Sequence, residues 1–223
     1  MTSKVPVLLL PVFLLLLSSI CLAEVTVADV DKSTSETVAK RKQAVEGSVV
    51  KSGLQPGAKT YAFHVQDVTG PRAGKTLCYA CAFGKHSVIN IQTKNFDDEL
   101  IALLRGLDPL VQSAGEIKGD SQHAFVVYLT EDPDQAEKEL AAIAKKAELK
   151  NIPLTVYDDL AGPKPYKLSD DAEVTIMMWK NTKVTTNHAF PAGGIKKEDV
   201  KPLLVSASKH LKLSKSKNSK DPE

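Results

Sequence analysis

Short apolar runs alternate with longer periodic stretches through most of the chain after residue 60. Short runs rich in apolar and β-branched residues predict strands, whereas apolar residues recurring every three or four positions predict helices. Strand-like runs lie at residues 61–65, 75–83, 87–92, 124–129, 153–157, 174–179 and 183–186. The Gly- and Pro-containing residues 69–74 predict a turn that joins the first two runs as a hairpin.

Three stretches carry helical spacing. The first places Leu100, Leu103, Leu104, Leu107 and Val111 on one face. We expect Asn95 to cap this helix and Pro109 to kink or end it. The second starts at Asp132-Pro133, a strong start signal, and the third carries Val200, Leu203, Leu204, Ala207 and Leu211.

The order of these elements predicts an α/β fold. Alternating strands and helices form parallel sheets, because a parallel pair needs a crossover connection. The last two strands follow each other across residues 180–182 and predict an antiparallel hairpin. We therefore expect a central mixed sheet flanked by helices, with an N-terminal β-hairpin extension.

The N-terminus has the pattern of a secretory signal peptide. Lys4 precedes an apolar run at residues 5–17, and small residues follow up to Ala23. The run contains Pro6 and Pro11 and is short for a spanning helix, so we expect cleavage and no stable membrane span afterwards. The mature protein is then secreted or lies in the periplasm or cell envelope.

The predicted organisation has four parts. Residues 1–23 are the signal peptide, residues 24–57 a polar lead-in, residues 58–211 the folded domain, and residues 212–223 a disordered basic tail. The 223 residues are 43% hydrophobic and 25% charged, which is typical of a globular protein with a real core. A formal net charge of +2 gives no support for nucleic-acid binding. No Gly-rich phosphate loop or nucleophile elbow is present, and we predict no cofactor.

Two cysteines carry the candidate chemistry. Cys21 leaves with the signal peptide, and Cys78 and Cys81 remain in a C-x-x-C spacing. Export makes a lasting disulfide feasible. Three interpretations stay open: a redox pair for thiol–disulfide exchange, a structural disulfide, or a zinc site formed by Cys78, Cys81, His86 and His64.

The region from His86 to Leu211 has the order strand, helix, strand, helix, hairpin, helix. This order resembles the thioredoxin fold. The preceding hairpin, with Asp67-Val68-Thr69-Gly70 and then Gly84-Lys85, is similar to that of redoxins and peroxiredoxins, and exported bacterial thioredoxin-like proteins come closest. The resemblance implies a thiol–disulfide oxidoreductase with a protein or small-molecule thiol or disulfide partner, in which Cys78 attacks and Cys81 resolves.

Two positions depart from the family pattern. The reactive Cys of the family follows the first core strand, where this chain has residues 92–97 and no Cys. The family's cis-proline precedes the hairpin, where residues 169–174 contain no Pro. Cys78 and Cys81 instead precede the strand at 87–92, so we expect them near its amino end, opposite the usual active site. These departures keep a non-catalytic binding or structural module open as the alternative function.

Overall fold

The computed structural model describes residues 50–115 and 122–213. The predicted signal peptide, most of the predicted polar lead-in and nearly all of the predicted basic tail lie outside these residues. The described part contains strands β1 (Val65–Asp67) and β2 (Thr76–Leu77), helix α1 (Tyr79–Phe83), β3 (Ser87–Thr93), α2 (Asp98–Gly115), β4 (Gln122–Thr130), α3 (Pro133–Ala147), β5 (Leu154–Asp158), a 3₁₀ turn (Lys164–Tyr166), β6 (Ala172–Lys180), β7 (Lys183–Pro191) and α4 (Lys197–Leu213).

The seven strands form one sheet in the order β2-β1-β5-β4-β3-β6-β7. β3, β4 and β5 are parallel, with Ile91 opposite Val126 and Val127 opposite Thr155. β6 and β7 continue the sheet antiparallel beyond β3, and the β1–β2 hairpin extends it antiparallel beyond β5. The predicted mixed sheet with flanking helices and an N-terminal hairpin is therefore confirmed.

The two faces of the sheet are covered differently. α2, α3 and α4 pack their apolar stripes on one face, around core residues such as Leu104, Leu140 and Leu203. The opposite face is covered by α1, by the 3₁₀ turn and by the extended chain before β1, which contribute side chains such as Tyr79 and Tyr166 to a second core cluster. The short helix that carries the cysteine pair is therefore part of this second layer.

Residues 52–54 pack closely on the sheet and are buried. Asn187 on β7 donates from Nδ2 to the carbonyl oxygens of Ser52 (2.9 Å) and Leu54 (2.8 Å). Between them, Gly53 has φ +78°, and a Cβ there would lie 2.7 Å from Cγ2 of Thr175. Only glycine combines this backbone conformation with this close approach.

Three details of the sequence prediction were wrong. Residues 61–64 are not a strand, because their alternation reflects the burial of Phe63 rather than strand pairing. The run at 75–83 pairs only at Thr76–Leu77 and then becomes helical. α2 begins at Asp98, and Asp97, not Asn95, accepts from the Leu100 N–H. Pro109 does not end α2, one of the two outcomes predicted for it, because a proline removes one helical hydrogen bond while the apolar stripe still anchors the helix on both sides.

Within residues 50–115 and 122–213, no helix has both the length and the apolar character needed to cross a bilayer.

Candidate functional site

The two cysteines form a disulfide at the start of α1. The S–S distance is 2.07 Å, and the Cα atoms are 5.2 Å apart. Cys78 is half-buried against the second core cluster, whereas Cys81 is exposed. The bond is therefore closed in this structure, with one sulfur-bearing residue at the surface.

Cys78 is also the cap of α1. Its backbone is extended (φ −106°, ψ 97°), and its Sγ accepts a hydrogen bond from the Cys81 N–H at 3.0 Å. The helix ends after Phe83 at Gly84, whose φ of +48° favours glycine and whose N–H donates to the Ala80 carbonyl. These two local signals fix a helix of five residues where the sequence pattern indicated a strand.

Ring contacts place α1 at the amino ends of two parallel strands. Phe83 stacks flat on His123, the second residue of β4, with a centroid distance of 3.9 Å. The ring of His86, just before β3, meets His123 edge-on at 5.2 Å. The cysteine pair therefore lies toward the end of the sheet opposite Thr93, where β3 ends.

A buried carboxylate ties α1 to the turn between β1 and β2. Asp67 is fully buried, and its carboxylate accepts from the Tyr79 hydroxyl (2.8 Å) and from the backbone N–H groups of Gly70 (2.7 Å) and Arg72 (2.9 Å). Burial, and then the hydrogen bond to Asp67, raise the pKa of Tyr79, so its phenol stays protonated and donates. The sequence analysis missed both roles, because an aspartate before a Gly-containing turn usually faces solvent.

A cavity of about 520 Å³ adjoins α1. Tyr79, Phe83 and His123 contribute aromatic rings to its wall, and Lys150 and Asn151 contribute polar groups. None of the lining residues that the structure describes is a carboxylate. Burial, and then the nearby His86, lower the pKa of His123 to about 4, so this ring is neutral at neutral pH.

The corner after β3 has a different composition. Asp97 accepts from the Leu100 N–H at 2.6 Å and caps α2. Glu173 at the start of β6 accepts from the Asn95 amide (3.3 Å) and from the Gly193 N–H (2.8 Å). Burial raises the pKa of Asp97; the Leu100 N–H opposes that rise, and the Glu99 and Glu173 carboxylates add to it. Carboxylates therefore stand where the family pattern places a thiol.

The residues of the zinc interpretation do not come together as a ligand set. Cys78 and Cys81 are bonded to each other, and the His86 ring faces His123. His64 lies exposed ahead of β1. Across the residues that the structure describes, no three or more His, Cys, Asp or Glu side chains form a group that could hold a metal ion.

Comparison with known proteins gives similarity in structure but not in sequence. Neither protein-family models nor curated proteins match this chain. A putative protein disulfide isomerase from Bacteroides thetaiotaomicron superposes with a TM-score of 0.54 at 13% identity, covering 73% of this chain and 95% of that one. A yeast mitochondrial 1-Cys peroxiredoxin superposes with a TM-score of 0.50 at 13% identity, covering 76% and 84%.

These similarities define the class of fold. The sheet order, the three long helices on one face and the leading hairpin of the described residues are those of the thioredoxin-like fold. At this level of identity the similarity shows the fold and not the activity, because function depends on the site rather than on the scaffold.

Proposed function

We propose that this protein carries out thiol–disulfide exchange through Cys78 and Cys81, with a protein or a small molecule as its thiol or disulfide partner. The observation that carries the proposal is the Cys78–Cys81 disulfide at the start of α1, which combines a half-buried capping sulfur with an exposed neighbour.

The local geometry supports Cys78 as the attacking group. In the dithiol form, the Cys81 N–H that now donates to Sγ of Cys78 would stabilise a thiolate at the same position. Cys78 thiolate attacks one sulfur of a partner disulfide, forms a mixed disulfide and releases the other partner sulfur as a thiolate. Cys81 thiolate then attacks Sγ of Cys78 and releases the second partner thiolate. The protein has been oxidised to its disulfide, and the partner disulfide has been reduced to two thiols.

The compartment is part of the proposal. A chain that leaves the cytosol through the signal pattern of residues 1–23 would meet an oxidising environment, in which a C-x-x-C disulfide persists between exchange events. We propose a secreted or envelope location, without a stable membrane span once the signal peptide is cleaved.

Loss of each cysteine separates the two roles. We expect Cys78→Ser to abolish reduction of insulin disulfides, because it removes the attacking sulfur. We expect Cys81→Ser to accumulate a mixed disulfide at Cys78, because no resolving thiol remains. Mass spectrometry after reaction with oxidised glutathione measures the adduct. The matched control is Ala82→Ser, which adds a hydroxyl at an exposed position of α1 and keeps both sulfurs.

Two outcomes would contradict the proposal. If the wild-type protein has a very low reduction potential and no exchange activity, the bridge is structural, and the protein is a binding or structural module on this fold. Stoichiometric zinc in protein prepared under reducing conditions, with both thiols blocked to titration, would support a metal site instead of redox chemistry.

A further inference from the structure

The turn between β1 and β2 and the helix with the cysteine pair share one buried anion. Two of the three donors to the Asp67 carboxylate, the N–H groups of Gly70 and Arg72, belong to the turn, and the third, the Tyr79 hydroxyl, belongs to α1. Asp67 is fully buried, so water cannot replace any donor that leaves. Loss of one donor would leave the buried carboxylate with an unpaired lone pair, which costs free energy, so the hydrogen bonds to Asp67 are strong.

The position of Tyr79 is closely fixed. Its ring packs on Phe83 at 5.0 Å and on Phe125 at 5.3 Å. A Cβ added at Gly70 would lie 2.6 Å from both Asp67 carboxylate oxygens and would collide with the Tyr79 hydroxyl. Glycine at position 70 therefore permits the contact between Tyr79 and Asp67.

Tyr79 is also the residue that directly follows Cys78, inside the ring that the disulfide closes. A helix of five residues is not stable by itself, because helix formation needs a costly nucleus. The disulfide and the Tyr79–Asp67 hydrogen bond are two restraints on the same short segment. Opening the disulfide frees the first turn of α1, and the hydrogen bond of Tyr79 must then hold a less ordered segment.

We propose that Tyr79 is a positioning residue whose hydrogen bond to Asp67 couples the redox state of Cys78 and Cys81 to the order of the turn at residues 68–75. Coupling between two equilibria is reciprocal. If reduction lowers the equilibrium constant for the Tyr79–Asp67 contact, then formation of that contact raises the equilibrium constant for disulfide formation by the same factor. Reduction loosens the turn, and the turn in its ordered form promotes oxidation of the pair. This inference rests on the proposed function only in requiring that the disulfide opens under a reductant.

The equilibrium to be measured is balanced with glutathione. Two reduced glutathione molecules give two electrons and two protons to the protein disulfide, and the products are one oxidised glutathione and the protein dithiol. The equilibrium constant for disulfide formation is read from the oxidised fraction at fixed ratios of the two glutathione forms. Mass spectrometry after alkylation of free thiols gives that fraction.

The test compares Tyr79→Phe with the wild-type chain. We expect the constant for disulfide formation to fall about tenfold, since the lost hydrogen bond is to a charged group and is stronger in the oxidised form. The control is Tyr128→Phe, which removes a hydroxyl from a half-buried tyrosine near Phe96, toward the other end of β4. We expect no change for this control. Gly70→Ala keeps the phenol but displaces it, and it should change the constant in the same direction as Tyr79→Phe.

Amide hydrogen exchange tests the reciprocal effect. In the wild type, the N–H groups of Gly70 and Arg72 should exchange about tenfold faster after reduction than before it, because the coupling has one magnitude in both directions. In Tyr79→Phe the exchange rates of these two groups should no longer depend on redox state. A purely structural role of Tyr79 would change the exchange rates equally in both redox states.

The two proposals fail in different ways. An unchanged glutathione constant in Tyr79→Phe, or equal exchange rates of Gly70 and Arg72 in both redox states, overturns the coupling and leaves the exchange activity standing. An inactive wild-type protein overturns the proposed exchange, and the coupling is then tested with dithiothreitol in place of glutathione. Far-ultraviolet circular dichroism of each variant confirms that the fold is retained.

Discussion

A capped helix lies beside each end of β3, but different side chains supply the caps. Before the amino end, Sγ of Cys78 accepts from the N–H of α1 three residues on. After the carboxyl end, a carboxylate oxygen of Asp97 does the same for α2. The scaffold therefore offers two similar backbone positions, and the sequence assigns sulfur to one and carboxylate to the other.

The surroundings of the two caps differ in charge. Burial raises the pKa of Asp97, the Leu100 N–H and Lys196 lower it, and the Glu99 and Glu173 carboxylates add to the rise; these two carboxylates would also oppose a thiolate here. Among the described residues, no carboxylate lines the cavity beside α1, and Lys75 and Lys85, which flank the C-x-x-C segment, are exposed. The amino end also holds a carboxylate, Asp67, but three hydrogen-bond donors compensate its charge, and we expect the exposed lysines to favour an anionic sulfur there. We therefore expect electrostatics, and not only the fold, to influence where a thiolate is stable.

The largest expected effect follows from removing the buried carboxylate at the amino end. Asp67→Ala leaves the Gly70 and Arg72 N–H groups and the Tyr79 hydroxyl without their common acceptor. We expect the free energy of unfolding to fall by about 3 kcal/mol, because the buried Tyr79 hydroxyl is left without an acceptor and the turn loses two further hydrogen bonds. Urea denaturation measures the change. A loss no larger than that of Asp97→Ala would show that the two ends do not differ in this respect.

Protonation of His123 at low pH should lower the stability of the fold, by less than the loss of the Asp67 carboxylate and by more than the loss of the Asp97 cap. The pKa of His123 is lowered from 6.5 to about 4 in the folded protein, so between pH 6.5 and about pH 4 the unfolded chain binds more protons than the folded protein. The folded protein therefore loses stability as the pH falls through this range. After allowance for partial exposure of the ring, we expect His123→Phe to remove about 1 kcal/mol of the loss between pH 7 and pH 5. His64→Gln, at an exposed histidine, is the control, and urea midpoints at each pH give the result. Identical pH profiles for His123→Phe and the wild type would refute this.

The smallest effect is expected at the carboxyl end. Asp97→Ala removes the cap of α2 and should lower the free energy of unfolding by about 0.5 kcal/mol, the low end for such a change, because burial and two neighbouring carboxylates already disfavour its charge. Asp97→Asn keeps an acceptor oxygen and should cost less. Neither variant should alter the glutathione equilibrium of Cys78 and Cys81. A shift in that equilibrium would mean that the two ends of β3 communicate.

Much of the fold could be predicted from the sequence where local signals and core packing agree. The apolar run at residues 124–129 lies within β4, and Asp132-Pro133 begins α3, with Asp132 accepting from the Gln135 N–H. The buried leucines of α2 follow the predicted stripe. In each case a pattern of several residues specifies one element, so a single misread residue changes little.

The candidate site was harder to predict because two local caps and one contact distant in sequence act together to form it. Tyr79 and Phe83 have aromatic side chains that favour strands, and α1 forms because Cys78 caps it, Gly84 ends it and Asp67 holds Tyr79. Nothing in the local sequence shows that the Asp67 carboxylate is buried. The position of the cysteines before β3 was predictable from chain order alone, whereas the side chains that surround them were not.

The close fit of Gly53 against β6 and β7 bears on how much chain the folding unit needs. A protein shortened to begin at residue 58 would lose both carbonyl acceptors of the Asn187 amide and would uncover the Thr175 methyl. The hairpin of β6 and β7 would then present an unsatisfied amide beside newly wetted apolar surface. We therefore expect a shortened protein to keep these contacts only if it begins at or before Ser52.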